Sequence, residues 1–177
     1  MLSATHMIGG AAAAAACLLI VSPDIQPASM ALATVGVGVV GGLIPDIDHP
    51  KSKISHTLRP VNALVSLLFS HRGFFHTPVL YGLLYALFLW KCPAGYIVWG
   101  QCLFAGIASH IFLDCLNPGG IPLFFPFSTK RIHLAKIHTG GKGEGIVRVL
   151  LTVLTAALLA MLLLDEHSGF IVSRFFA

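Results

Sequence analysis

The sequence predicts an all-α protein, a polytopic membrane helical bundle of about four or five transmembrane helices. Of its 177 residues, 56% are hydrophobic and only 10% are charged, whereas soluble domains have about 25% charged residues. Such a chain lacks the polar groups needed to cover a globule in water, so a membrane is its expected environment. The length predicts one domain over residues 1–177. The net charge of +4 does not indicate nucleic-acid binding.

Five apolar runs predict the helices in order. They cover residues 7–21, 28–44, 78–90, 95–116 and 146–164. A helix needs roughly 20 apolar residues to cross the hydrocarbon of a bilayer. The first and third runs are short by this measure, so the sequence predicts four spans without one of them and five with both.

Glycine is concentrated in the second run, at Gly36, Gly38, Gly41 and Gly42. Small residues allow two helix backbones in a membrane to approach closely. We therefore expect the second helix to pack tightly against its neighbours through these positions.

Basic residues are concentrated in the loops after the second and fourth runs. They are Lys51, Lys53, Arg59 and Arg72 in the first of these loops, and Lys130, Arg131, Lys136 and Lys142 in the second. The positive-inside rule assigns such loops to the cytoplasm. Five spans with a cytoplasmic N-terminus satisfy it. The same topology brings most of the histidines and aspartates to the cytoplasmic ends of the spans.

The fourth run ends in "SHIFLDCLNPGG", which carries His110 and Asp114. Their i, i+4 spacing places both side chains on one face of a helix, one turn apart. Imidazole and carboxylate are ligands of zinc and related divalent ions. Ionisable groups at membrane depth are costly and usually functional, so the pair predicts metal ligation. The alternative is an isolated pair in which imidazole is hydrogen-bonded to carboxylate.

The segment "PDIDHP" carries Asp46, Asp48 and His49 directly after the second run. Its flanking prolines discourage a regular helix. One aspartate would bind a metal while the other orients a ligand through a hydrogen bond. The alternative is a turn in which the aspartates cap the end of a helix.

The segment "SHRGFFHTP" carries His71 and His76, and Gly73 between them allows a turn that brings both to one centre. Arg72 either neutralises a bound phosphate or is a topological positive-inside residue. His6, at the start of the first run, becomes a candidate ligand because the topology brings it to the same end of the bundle as the other groups.

These motifs, taken in order, resemble the YdjM-type inner-membrane family. The matching segments are TH near the N-terminus, PDIDH, SHRGFFHT and SHIFLDCLNPGG, and the resemblance extends over residues 6–144. It implies a membrane-bound metal-dependent hydrolase with distant similarity to the all-α zinc-dependent phospholipases C and P1-type nucleases. It also implies one to three divalent ions, with zinc as the first expectation.

The resemblance also implies roles for individual residues. The implied metal ligands are His6, Asp46, His71, His76, His110 and Asp114, with Asp114 as a candidate bridging carboxylate. The candidate catalytic side chains are Asp48, His49 and Arg72. Asp48 and His49 match the family motif, and an uncoordinated Asp or His would serve as general base. Arg72 would neutralise the phosphate.

The expected reaction is hydrolysis of a phosphate ester, such as a phospholipid, by metal-activated water at the cytoplasmic membrane surface. Phe74, Phe75, Phe124 and Phe125 would either contact acyl chains or anchor the chain at the interface. His133 and His138, near Glu144, would complete the site, bind substrate or be solvated. The alternatives to an enzyme are a membrane transporter or metal-handling protein with the same ligands, and a scaffold that uses the metal only to fold.

Overall fold

The computed structural model describes residues 1–21, 27–48 and 74–168, and all the regular elements in these ranges are helical. The α-helices are α1 (Ser3–Val21), α2 (Ala28–Gly41), α3 (Pro78–Lys91), α4 (Ile97–Cys115) and α5 (Lys142–Ser168). Short 3-10 turns cover Ile44–Asp48, Phe74–His76 and Ala94–Tyr96. The predicted all-α class is confirmed.

Three of these helical segments are long and apolar enough to cross a membrane: Ser3–Val21, Ala94–Cys115 and Lys142–Leu164. Helices α2 and α3 are apolar but have 14 residues each, so each is about 21 Å long, less than the roughly 30 Å of bilayer hydrocarbon. The structure is that of a helical membrane bundle, as predicted. Helix α1 is long enough because it begins at Ser3, before the first apolar run starts. Helix α2 is shorter than the second apolar run because it ends at Gly41, before that run ends.

Proline and glycine set the helix boundaries next to the polar cluster. Pro78 occupies the first turn of α3, where its missing N–H is not needed, and the Thr77 hydroxyl accepts a hydrogen bond from the Val79 N–H at 3.4 Å. Helix α2 ends at Gly41 and is followed by the 3-10 turn that contains Asp46. Asp46 thus lies just after the end of α2, and His76 lies just before the start of α3.

Helices α1, α2 and α4 pack against one another, α5 packs mainly on α1, and α3 packs on α4. Glycines bring the central backbones close together. A Cβ atom on Gly38 would overlap Ala14 and would lie 2.7 Å from the carbonyl oxygen of Gly10. The predicted close packing is confirmed for Gly38, Gly41 and Gly42, whose Cβ atoms would meet a neighbouring helix. It is wrong for Gly36, where a Cβ atom would have no neighbour within 4 Å.

Helix α5 lies on the outside of the bundle. Leu150 and Val153 are each 63% exposed, which suits side chains that face lipid. Glu144, in the first turn of the same helix, is only 1% exposed. Among residues 142–164, whose side chains the structure describes, Glu144 is therefore the one buried residue.

The segment between α4 and α5 folds back over the end of α4. The N–H of Leu134 donates to the Cys115 carbonyl at 2.7 Å, and the N–H of Ile137 donates to the Leu116 carbonyl at 2.9 Å. Ile121 and Ile132 exchange hydrogen bonds in an isolated antiparallel bridge. These contacts satisfy carbonyl groups at the C-terminus of α4 and hold the basic loop next to Asp114.

Candidate metal centre

Five of the predicted metal ligands meet at one end of the bundle. They are His6 in the first turn of α1, Asp46 in the 3-10 turn after α2, His76 in the turn before α3, and His110 and Asp114 near the end of α4. The three imidazoles are buried, with exposures of 0% for His6, 5% for His76 and 0% for His110. Both carboxylates are partly buried beside them.

His110 is oriented by the backbone of the neighbouring helix. Its Nδ1 lies 2.7 Å from the carbonyl oxygen of Gly42. A carbonyl only accepts hydrogen bonds, so Nδ1 carries a proton, and in the neutral form of the ring Nε2 keeps its lone pair. Nε2 lies 3.4 Å from an Asp114 oxygen and 3.8 Å from an Asp46 oxygen. A backbone carbonyl that fixes the tautomer in this way is typical of metal-binding histidines.

His76 completes a group of four around the same point. Its Nε2 lies 3.8 Å from Oδ1 of Asp46 and 3.6 Å from Oδ2 of Asp114, the same oxygens that His110 approaches. Ligands of a tetrahedral zinc ion at about 2.0–2.1 Å lie about 3.4 Å from one another. The four imidazole–carboxylate separations are therefore within about half an ångström of those around a single divalent ion.

His6 extends the cluster on the other side of Asp114. Its ring is stacked on that of His110 with 3.8 Å between centroids, and its Nε2 lies 3.2 Å from Oδ1 of Asp114. The amine of Met1 donates to the same oxygen at 2.9 Å. Asp114 thus has one oxygen toward His76 and His110 and the other toward His6, an arrangement suited to a bridging carboxylate.

The donor atoms of the cluster lack the hydrogen bonds that buried polar atoms normally make. Within the described part of the chain, no hydrogen-bond partner is found for either ring nitrogen of His6, for Nδ1 of His76 or for Nε2 of His110. Two groups could each hold an ion, His6 with Asp46 and His110, and His76 with His110 and Asp114, with ligand atoms within 4.8 Å of one another. Nitrogen and carboxylate donors of this kind suit zinc and similar divalent ions, so the residues fit the predicted metal.

Asp46 lies outside the membrane-spanning helices, and its charge state supports metal binding. Burial raises the pKa of its carboxyl group. The hydrogen bond with His76, and then the imidazoles of His110 and His6, together lower that pKa by more, so it lies below the ordinary value of 3.8. Asp46 is therefore ionised at neutral pH, the form that binds a cation.

Four predicted site residues lie wholly or partly outside the described residues. His49, His71 and Arg72 fall in the range 49–73, and Asp48 ends the 3-10 turn with its side chain outside the description. His133 and His138 are exposed and belong to neither ligand group. Their exposure agrees with solvation, one of the three alternatives for them.

Glu144 is a structural feature of the site whose role the sequence left open. One carboxylate oxygen accepts hydrogen bonds from the Leu2 N–H at 2.6 Å and the Thr5 hydroxyl at 2.8 Å. The other accepts from the Gly140 N–H at 2.6 Å. Because Thr5 directly precedes His6, Glu144 fixes the start of α1 against α5. The only signal in the sequence was an ionisable residue at the head of an apolar run.

Replacing Glu144 with Gln is expected to weaken metal binding about 10-fold and to lower the free energy of unfolding by about 1.5–3 kcal/mol. Glutamine keeps the size of the side chain, but its NH2 group is itself a donor. It would face an N–H or O–H group whose hydrogen bond a carboxylate oxygen of Glu144 accepts in the wild type. Metal affinity from competition with a chelator and an unfolding titration in detergent measure the two effects. Lys142→Gln, at an exposed position of the same turn, is the control. Equal values for both variants would contradict the assigned role.

Comparison with known proteins agrees with this arrangement of motifs. The model of the family described as YdjM inner membrane protein matches residues 1–173. The chain belongs to this family. The predicted resemblance to the YdjM family is thus confirmed, and with it the assignment to an inner-membrane protein family.

Individual members of the YdjM family and related proteins are also similar. The inner membrane protein YdjM of Escherichia coli K12 and that of Shigella flexneri are each 39% identical over 87 residues, 48% of this chain. These matches span 44% of the length of the relatives, less than half. The uncharacterized protein YvsG of Bacillus subtilis is 36% identical over 157 residues, 86% of this chain and 91% of that protein. No solved structure matches the chain significantly.

Proposed function

We propose that this member of the YdjM family is a membrane-bound, metal-dependent hydrolase of a phosphate ester, with its site at the cytoplasmic surface of the membrane. The observation that carries the proposal is the set of three buried imidazoles that converge on Asp46 and Asp114, each with at least one ring nitrogen that has no hydrogen-bond partner among the described residues. Burying such groups without a partner costs free energy, which a function would explain.

The side chains have distinct roles in this proposal. His110, His76, Asp46 and Asp114 would hold a divalent ion, most simply zinc, and His6 would hold a second ion or support the first. Such an ion supplies Lewis-acid stabilisation of phosphate and a more acidic water. The Gly42 carbonyl holds the His110 ring in place. Asp48 and His49 are the candidates to accept a proton from water, and Arg72 to bind the phosphate.

The position of the cluster favours a surface site over a transport pathway. His6 lies in the first turn of α1, and Asp114 precedes the last residue of α4. A transporter is expected to place its ionisable groups near the middle of the membrane. The basic residues Lys130 and Arg131 lie in the loop that packs on the same end of α4. Under the positive-inside rule this end faces the cytoplasm.

Purified protein loaded with zinc is expected to release phosphate or a phosphorylated headgroup from one member of a phospholipid panel. Because outer partners of metal ligands contribute about 10–100-fold, replacing a ligand, as in His76→Gln, should lower the rate at least about 100-fold. His133→Gln, which changes an exposed histidine outside the cluster, should leave it unchanged. Phosphorus NMR or headgroup chromatography provides the measurement.

Membrane vesicles test the orientation in the same assay. Substrate added to inverted vesicles should be hydrolysed, and substrate added to right-side-out vesicles should be protected. Zinc uptake into proteoliposomes without hydrolysis of any lipid in the panel would overturn the proposal in favour of transport.

A further inference from the structure

A cavity of about 620 Å³ lies between α3, α4 and the end of α1, a volume within the range of about 300–1,000 Å³ for ligand sites. Its lining is almost entirely apolar, and none of the described side chains that line it is charged. Tyr81 and Tyr85 contribute from α3, and Phe104 and Ile111 contribute from α4. The chemistry of the walls selects a hydrocarbon ligand.

One end of the cavity is lined by residues that follow the candidate metal ligands in the chain. Cys115 and Ile111 line the cavity, and each directly follows a candidate ligand on α4, Asp114 and His110 respectively. Pro78, which also lines it, is two residues after His76. The cavity and the metal centre thus share the end of α4 and the start of α3.

The other end of the cavity lies deep along the helices. Gln101 and Cys115 both line it and are fourteen positions apart on α4, which corresponds to about 21 Å along the helix axis. Cys17, near the far end of α1 from His6, also lines it. The cavity is therefore elongated, and it runs from the metal centre along the membrane-spanning part of α4.

Cationic side chains lie in the loop at the end of the cavity nearest the metal centre. Leu134 lines the cavity, and its N–H is bonded to the Cys115 carbonyl. Arg131 and Lys136 flank Leu134 in the chain and are both exposed. Basic residues at a membrane surface attract anionic headgroups. A ligand with an anionic head and a long apolar tail matches both ends of the cavity.

We propose that this cavity binds one acyl chain of a bilayer phospholipid whose phosphate lies between the metal centre and the Arg131–Lys136 loop. The inference rests on the proposed function, because it makes a membrane phospholipid the substrate. It deepens that function by assigning the apolar tail to α3 and α4. It also changes the sequence-based expectation for acyl contacts, since neither Phe124 nor Phe125 lines the cavity and Phe124 is 60% exposed.

Gly82 provides a direct way to fill the cavity. It lines the cavity, and a Cβ atom built on it has no neighbour within 4 Å among the residues that the structure describes. Gly82→Leu therefore adds an apolar side chain there without a backbone clash, and it favours the helix. Gly36→Leu is the matched control, since Gly36 is also a helical glycine with open space around its Cβ position but does not line the cavity.

The probe is phosphatidylglycerol with a diazirine in the middle of one acyl chain, incorporated into vesicles that contain the full chain. After irradiation, labelled peptides are mapped by mass spectrometry. We expect saturable labelling of α3 and α4 at cavity residues such as Tyr85 and Phe104, which unlabelled phosphatidylglycerol displaces. Gly82→Leu should reduce this labelling at least fivefold, and Gly36→Leu should leave it unchanged.

Labelling that does not saturate and falls equally on the exposed face of α5 would overturn the inference, because it would show only surrounding lipid. Chemical cross-linking that joins cavity residues to a second copy of the chain or to residues 49–73 would also overturn it, because protein would then occupy the place assigned to the lipid. The labelling needs no turnover, so the two proposals are separable. Saturable labelling without hydrolysis contradicts the proposed function, and hydrolysis with unlabelled cavity residues contradicts the acyl site.

Discussion

Protein in which both His110 and Asp114 are replaced by alanine is expected to lose its bound divalent ion. Asp114 approaches three imidazoles, those of His6, His76 and His110, at 3.2–3.6 Å. The double variant therefore removes two of four ligands at the central position and the carboxylate shared with His6. A tetrahedral site with two protein ligands does not retain zinc against a chelator.

Elemental analysis of protein purified in detergent measures this effect. Wild type should contain at least about one ion per chain, and the double variant less than about a tenth of that. His133→Ala with His138→Ala removes two exposed histidines outside the cluster and should not change the metal content. Asp114→Asn, which keeps the size of the side chain, distinguishes loss of charge from loss of fold. The same trace metal in wild type and double variant would refute the metal site.

Replacing Gly38 with alanine is expected to destabilise the bundle. Its Cβ atom would overlap Ala14 on α1 and would lie 2.7 Å from the Gly10 carbonyl oxygen, so α1 and α2 would have to separate. Overpacking of this kind costs about 1–3 kcal/mol. The separation would also disturb the metal centre, because Gly42, on the same segment, holds the His110 ring.

Gly36→Ala is the matched control for this prediction. Gly36 lies on the same helix, two residues away, and a Cβ atom there has no neighbour within 4 Å. Alanine favours a helix over glycine by up to about 1 kcal/mol, so this variant should be neutral or slightly stabilised. Unfolding titrations in mixed detergent give both free energies. Equal stabilities for the two variants would show that the close contact of α1 with α2 has no energetic importance.

The sequence predicted the class of fold because composition alone excludes a water-soluble globule. The deficit of charged residues requires a bilayer, and in a bilayer the helix satisfies every backbone hydrogen bond internally. The local relation of His110 to Asp114 was also available, because an i, i+4 spacing on a helix has a single geometric meaning. These inferences depend only on properties that are local or averaged over the chain.

Only the tertiary structure decided which side of each helix faces its neighbours. Helix α2 is apolar on all sides, so its pattern does not indicate which side faces a neighbour. Gly36 and Gly38 are two positions apart, which is a rotation of about 200°, so only one of them can face α1. The sequence treated them alike, and packing separated them. The burial of Glu144 and the cavity beside α3 depend on the same kind of long-range contact.

The candidate metal centre required both sources of information. The sequence supplied the types of ligand at the ends of the apolar runs, and Asp46 alone was compatible with a cap or a turn. Only the packing of α1 against α4 stacks His6 on His110. Only the turns on either side of the 49–73 range bring the carboxylate of Asp46 and the imidazole of His76 into the same cluster. Side chains far apart in the chain meet through helix packing, and an apolar pattern without a defined face cannot specify that packing.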